Sequence, residues 1–200
     1  MKLLLTSAGF LNKEVSDIFL SLLKKPAKQI NIIFIPTASR TELELKYVDE
    51  SIQELINLGI TNITTLNLDH KVKVEEINNA DVIYVCGGNT FYLLQKIRES
   101  SLDQLLPIFN GVYVGVSAGS IVVGPSIEVS NLPPADKNDT NLSDLTGINL
   151  VDFAVSPHFD KKDLVTVENF KNQVNYEIIV LTDNQAVLVE NGERKIIGLP

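Results

Sequence analysis

A serine at the end of a β-branched run, set among small residues, is the first place in this chain where chemistry could be done. Residues 111–124 read GVYVGVSAGSIVVG, so Gly115, Val116, Ser117, Ala118 and Gly119 spell G-x-S-x-G. At a strand-to-helix junction this pattern makes a sharp turn that projects the serine hydroxyl, and small neighbours keep the strained backbone from clashing. The Ala118 N–H would then point into the cavity as an oxyanion donor. The same residues also fit a Gly-rich turn whose serine caps the next helix. Its partners must decide.

A hydroxyl is a weak nucleophile unless a base takes its proton. Of the two histidines, His70 lies in the polar stretch NLDHKVK and is expected at the surface. His158, in SPHF after an apolar run, is the expected base, although a satisfied structural histidine fits there too. Asp183, in VLTDNQA after the run EIIVL, is the first choice to accept from the imidazole and fix its tautomer. The plainer reading of Asp183 is a turn residue before a hairpin. Asp160 lies two residues past His158, which makes a side-chain pair awkward. The order Ser, His, Asp differs from the Ser, acid, His order of α/β-hydrolases.

The stretch CGGNT (86–90) ends a neighbouring strand. Glycine lets backbone approach a ligand closely, so a free N–H there would serve as a second oxyanion donor, with Asn89 and Thr90 placed for substrate contact. A phosphate-binding turn competes with that reading. The stretch fits neither G-x-G-x-x-G nor G-x-x-x-x-G-K-[ST]. Cys86 is expected to be a small buried strand residue rather than a nucleophile.

These residues need elements to hold them. KLLLTSA (2–8), INIIFIPTA (30–38), NITTLNL (62–68), DVIYVCGG (81–88) and VYVGVSAG (112–119) read as strands, nearly continuous in apolar residues and hence covered on both faces. Between them, 12–25, 40–59 and 89–106 read as helices; in the second, Val48, Ile52, Leu55 and Ile56 recur at helical spacing before Gly59. Alternation at these lengths implies an α/β fold, a mostly parallel sheet with helices on both faces. The polar stretch 125–147 reads as a long surface excursion near the site. FAVSPHF (153–159) is a further strand, 161–174 a short helix, and 177–199 a last central strand followed by a hairpin turning at Asn191-Gly192. Ligands of open parallel sheets bind beyond the carboxyl ends of the strands. There this chain delivers PTASR, CGGNT, SAGS, PHFD and TDNQ.

Bulk properties bound the rest. With 200 residues and 44% hydrophobic content, one domain over 1–200 is expected. A net charge of −8 with no basic patch argues against nucleic acid or an anionic membrane as partner. The apolar opening is too short for a signal-peptide core, and no run approaches a membrane span. One cysteine excludes an internal disulfide and any multi-cysteine metal site. A cytoplasmic protein without metal or cofactor is expected.

Together VIYVCGGNTFYLL, VGVSAGS, AVSPHF and LTDNQAV resemble, in order and spacing, the peptidase E family of serine peptidases, which includes α-aspartyl dipeptidases and, more distantly, cyanophycinases. The resemblance spans nearly the whole chain. It implies a flavodoxin-like fold of the class I glutamine amidotransferase kind, with serine where those enzymes use cysteine. It further implies Ser117 as nucleophile, His158 as base, Asp183 as the shorter equivalent of a glutamate found in some relatives, and Gly88 and Ala118 as oxyanion amides. The aspartyl dipeptidases carry an arginine after the histidine that grips an N-terminal aspartate. Here that segment has none, offering Lys161, Lys162 and Lys171 instead, with Arg40 as another anchor. Leu132 stands where those relatives have an aspartate. The expected activity is hydrolysis of short peptides through a Ser-His-Asp triad, with N-terminal Asp preference as one possibility. Another serine-dependent amide hydrolase, or a non-catalytic small-ligand binder, are the alternatives.

Overall fold

A computed structural model describes residues 1–200. Five strands pair in parallel: β1 (Lys2–Thr6), β2 (Asn31–Ile35), β3 (Asn62–Thr65), β4 (Val82–Val85) and β5 (Val112–Val116). Two small-sheet strands follow, β6 (Phe153–Ser156) and β7 (Glu177–Val180), then the hairpin β8 (Ala186–Glu190) and β9 (Glu193–Ile197). The main sheet runs β3-β2-β4-β5-β1-β8-β9, with β8 antiparallel to β1. The hairpin turns at Asn191 (φ 53°) and Gly192 (φ 79°), the two left-handed residues a type I′ turn requires.

Alternate residues of one strand feed opposite faces. Leu3 and Leu5 of β1, Ile83 and Val85 of β4, and Tyr113 of β5 enter one core; Leu4, Val82, Tyr84, Val112 and Val114 enter the other. Helices α1 (Lys13–Leu22) and α2 (Glu42–Asn57) cover the second face through Val15, Phe19, Leu22, Val48 and Leu55. Asn12 caps α1, and a Thr41–Glu44 capping box opens α2. A short α3 (Val74–Ile77) precedes β4. The first face is covered by α4 (Thr90–Ser100), α5 (Leu102–Leu105) and α6 (Ala118–Ile121), with α7 (Leu164–Lys171) adding Val167. Burying each such side chain contributes about 1.5–3 kcal/mol.

Four features differ from the sequence reading. β3 is an edge strand whose side chains are mostly exposed, because NITT offers only one apolar residue; Leu66 and Leu68 reach the core beyond its end. The helix expected over 89–106 breaks at Ser101, which is left-handed at φ 62°. The excursion over 125–147 is not all surface. Ile127, Val129 and Leu132 are buried in the first core, and a Ser126–Thr146 bridge closes the segment at its base. Finally, β7 is not a central strand. It pairs in parallel with β6 in a separate two-stranded sheet packed on the first core. No helix is long and apolar enough to cross a membrane.

Candidate active site

Ser117 follows β5 directly, and its backbone (φ 48°, ψ −108°) is one that L-residues rarely adopt. Such strain costs about 1–3 kcal/mol and persists only where the surroundings impose it. Two close approaches impose it here. A Cβ on Gly115 would sit 2.5 Å from the Gly119 carbonyl oxygen, and one on Gly119 would sit 2.4 Å from that of Val85. The G-x-S-x-G glycines are therefore contact requirements of the turn. The Ser117 N–H donates to the Thr6 carbonyl at 3.0 Å, tying the turn to β1.

His158 follows β6 with φ 58°, and its Nε2 lies 2.9 Å from Ser117 Oγ. On the other side its Nδ1 lies 2.6 Å from Asp183 Oδ1, beyond β7. A carboxylate oxygen can only accept, so Nδ1 carries the proton and Nε2 is left to accept from the serine hydroxyl. The Phe159 N–H donates to the Leu181 carbonyl and the Leu181 N–H to that of Ser156, which fixes the two loops side by side. Asp160 turns away, capping the following turn through Lys162 N–H.

Gly88 (φ 129°) lies across from the serine at the end of β4; a Cβ there would sit 2.2 Å from the Ala38 carbonyl oxygen, so only glycine fits. Neither its N–H nor that of Ala118 is engaged by another group of the protein. Cys86 is buried, and burial pushes its thiol well up, away from nucleophilic thiolate. His70 is a half-exposed surface residue bonded to Asp69 and Glu76, bonds that raise its basicity.

The remaining expected residues are engaged elsewhere. Asn89 caps α4 at the Tyr92 N–H, and its amide donates to the Lys137 carbonyl at 2.8 Å. Thr90 is fully buried, its N–H donating to Asp136 Oδ2 at 2.8 Å. Arg40 pairs with Asp139 at 3.1 Å and stacks 4.3 Å above the Tyr92 ring. All three pin the excursion to α4, and none lines the cleft. Lys162 pairs with Asp160 and Lys171 with Glu168.

The cleft itself measures about 450 Å³. Ser117, His158, Asp183, Gly87 and Gly88 meet Glu44, Glu50 and Glu54 of α2 there, and neither lysine nor arginine lines it. Burial raises the Glu54 carboxyl, partly offset by the Phe10 N–H. A second recess of about 220 Å³ lies between the excursion and the Ser117–His158 pair, walled by Leu132, Pro133, Pro134 and Asp136. Burial raises the Asp136 carboxyl too, the Thr90 contact opposing it. No group of three or more histidine, cysteine, aspartate or glutamate side chains is arranged to hold a metal ion.

Two contributors escaped the sequence reading. Ser7, after β1, touches both His158 and Asp183; its signal is the small-residue run TSA, which ends a strand as SAGS and CGGNT do. Asp136 sits in a segment with no periodicity to place it.

Comparison with known proteins agrees with this architecture. The sequence model of Peptidase family S51 matches residues 3–197. An uncharacterized peptidase of Pasteurella multocida is 32% identical over 98% of this chain and 97% of its own. One of Listeria innocua is 36% identical over 64% of each chain, and peptidase E of Salmonella arizonae is 32% identical over 87% of this chain and 73% of its own. Among solved structures, a protein assigned to peptidase E from Listeria monocytogenes EGD-e superposes with a TM-score of 0.81 at 28% identity, covering 100% of this chain and 98% of that one. With the match running over nearly its full length, the chain belongs to peptidase family S51, a family of peptide-bond hydrolases.

Proposed function

We propose that the protein is a serine peptidase acting on short peptides through Ser117, His158 and Asp183. The observation that carries this reading is the unbroken hydrogen-bond path from Ser117 Oγ through both imidazole nitrogens to Asp183. Ser117 Oγ attacks the scissile carbonyl carbon while His158 Nε2 takes its proton. The oxyanion that forms is held by the unengaged N–H groups of Gly88 and Ala118. His158 returns the proton to the leaving amine as the C–N bond breaks, leaving an acyl-serine. Water then attacks the acyl carbon, giving its proton to His158, and the proton returns to Ser117 as the acid product leaves.

The cleft charge narrows the substrate. No lysine or arginine in its wall can pair with an aspartate side chain, and Glu44, Glu50 and Glu54 oppose one. Peptides with neutral or basic N-terminal residues fit it better than Asp-X dipeptides. The excursion, which walls the recess beside Ser117 and His158, limits the length of chain that can enter. A dipeptide library offered to the wild type and to Ser117→Ala tests the nucleophile and the charge preference. Hydrolysis that needs Ser117 and disfavours N-terminal Asp supports the reading. Hydrolysis surviving in Ser117→Ala contradicts it.

A further inference from the structure

Ser7 performs no step of the reaction, yet it touches two of the three groups that do. Its side chain is fully buried. The His158 backbone N–H donates to Ser7 Oγ at 2.8 Å, and Ser7 Oγ donates to Asp183 Oδ1 at 3.0 Å. The polarity is fixed at both ends, since an amide N–H only donates and a carboxylate only accepts. Asp183 Oδ1 is also the oxygen that receives the His158 ring at 2.6 Å. The contacts therefore close a ring through the His158 backbone, the Ser7 hydroxyl, the Asp183 carboxylate and the His158 imidazole.

Backbone bonds hold the two loops side by side, and that ring adds the side-chain contacts. His158 sits in the left-handed region without being glycine, and the Asp183 side chain is 55% exposed. Ser7 and His158 are the only donors to its carboxylate. Next to Ser7, the Thr6 carbonyl accepts the Ser117 N–H at 3.0 Å and the Ser120 hydroxyl at 2.8 Å. Two consecutive residues at the end of β1 thus reach all three catalytic groups, though β1 carries none of them.

We propose that Ser7 is a positioning residue that clamps the base and the acid in register with the nucleophile. The inference rests on the triad reading above. It predicts a loss in the bond-making step with binding little changed, because the Ser7 hydroxyl, although it lines the cleft, is taken up by His158 and Asp183.

The test uses a fluorophosphonate, which reports on Ser117 without a known substrate. Ser7→Ala should lower the maximal labelling rate about 10- to 100-fold, as small misplacements of reacting groups do, with the half-saturating probe concentration unchanged. Ser7→Thr, which keeps the hydroxyl, should recover most of that rate. Ser7→Cys, of nearly the same size but a weak hydrogen-bonder, should lose rate in the same direction, and serves if the alanine variant does not fold. In an Asp183→Asn background the Ser7→Ala loss should shrink to within about threefold, since residues of one network are not additive. A wild-type rate in Ser7→Ala or Ser7→Cys, a loss seen only in probe affinity, or an undiminished loss on top of Asp183→Asn overturns the proposal. If Asp183→Asn by itself labels at the wild-type rate, the triad reading falls and the clamp with it. A loss in Asp183→Asn with none in Ser7→Ala removes the clamp alone.

Discussion

The proposed nucleophile and its two proposed partners are held in different ways. Ser117 belongs to the seven-stranded sheet, and its turn is squeezed between backbone atoms of β4 and α6 until only glycine fits on either side. His158 and Asp183 come from the two-stranded sheet, on loops where they remain 32% and 55% exposed, and hydrogen bonds place them. Packing fixes the group that must hold strain. Directional polar contacts fix the groups proposed to take the proton and to orient its acceptor. Damage to the first region should cost stability as well as activity, whereas damage to the second should cost activity almost alone.

The largest effect expected is in the second region. His158→Ala should lower kcat by about 10⁴- to 10⁶-fold, as loss of a triad base does, with an unfolding midpoint close to wild type. Asp183→Asn should follow at about 10³- to 10⁴-fold, again with little change in the urea midpoint. The first region should answer differently. Gly119→Ala forces a Cβ to within 2.4 Å of the Val85 oxygen and should destabilise the fold by about 2–4 kcal/mol in urea titration, taking activity with it. Unchanged stability in Gly119→Ala, or a large stability loss in His158→Ala, would break the contrast.

Smaller effects sharpen the account at the excursion. Burial raises the Asp136 carboxyl, so the folded chain holds that proton more tightly than the unfolded chain. Its contribution to stability is therefore lost as pH rises from the ordinary carboxylate range through the raised value. Asp136→Asn should accordingly raise the thermal midpoint more at pH 7 than at pH 4, by about 1–3 °C in a melt at each pH. Arg40→Ala removes a half-exposed ion pair and a stacking contact, and should cost less than about 1 kcal/mol in urea, with kcat/KM nearly unchanged.

Legibility in the sequence follows the same division. The G-x-S-x-G turn was readable because backbone contact limits the residue types that fit, and such limits leave a local pattern. The alternation of β1, β2, β4 and β5 with α1, α2 and α4 was readable because burial on two faces leaves long apolar runs, which the exposed edge strand β3 lacks. His158 and Asp183 were readable only as residues at strand ends; that β6 and β7 leave the main sheet is set by pairing partners, which no local pattern records. Asn89, Thr90 and Arg40 looked free for substrate, yet their side chains or amides serve contacts to residues 136–139, some 46 to 99 positions away. Ser7 had no motif around it, since its role depends on two loops more than 150 residues distant.

The central claim is that Ser117 is a nucleophile activated by His158. Treating the wild type and His158→Ala with a fluorophosphonate, then mapping adducts by peptide mass spectrometry, tests it most directly. The account predicts one adduct per chain, on Ser117, formed at least about 10³-fold more slowly in His158→Ala. An adduct on another residue, no adduct in the wild type, or equal rates in the two proteins would contradict it.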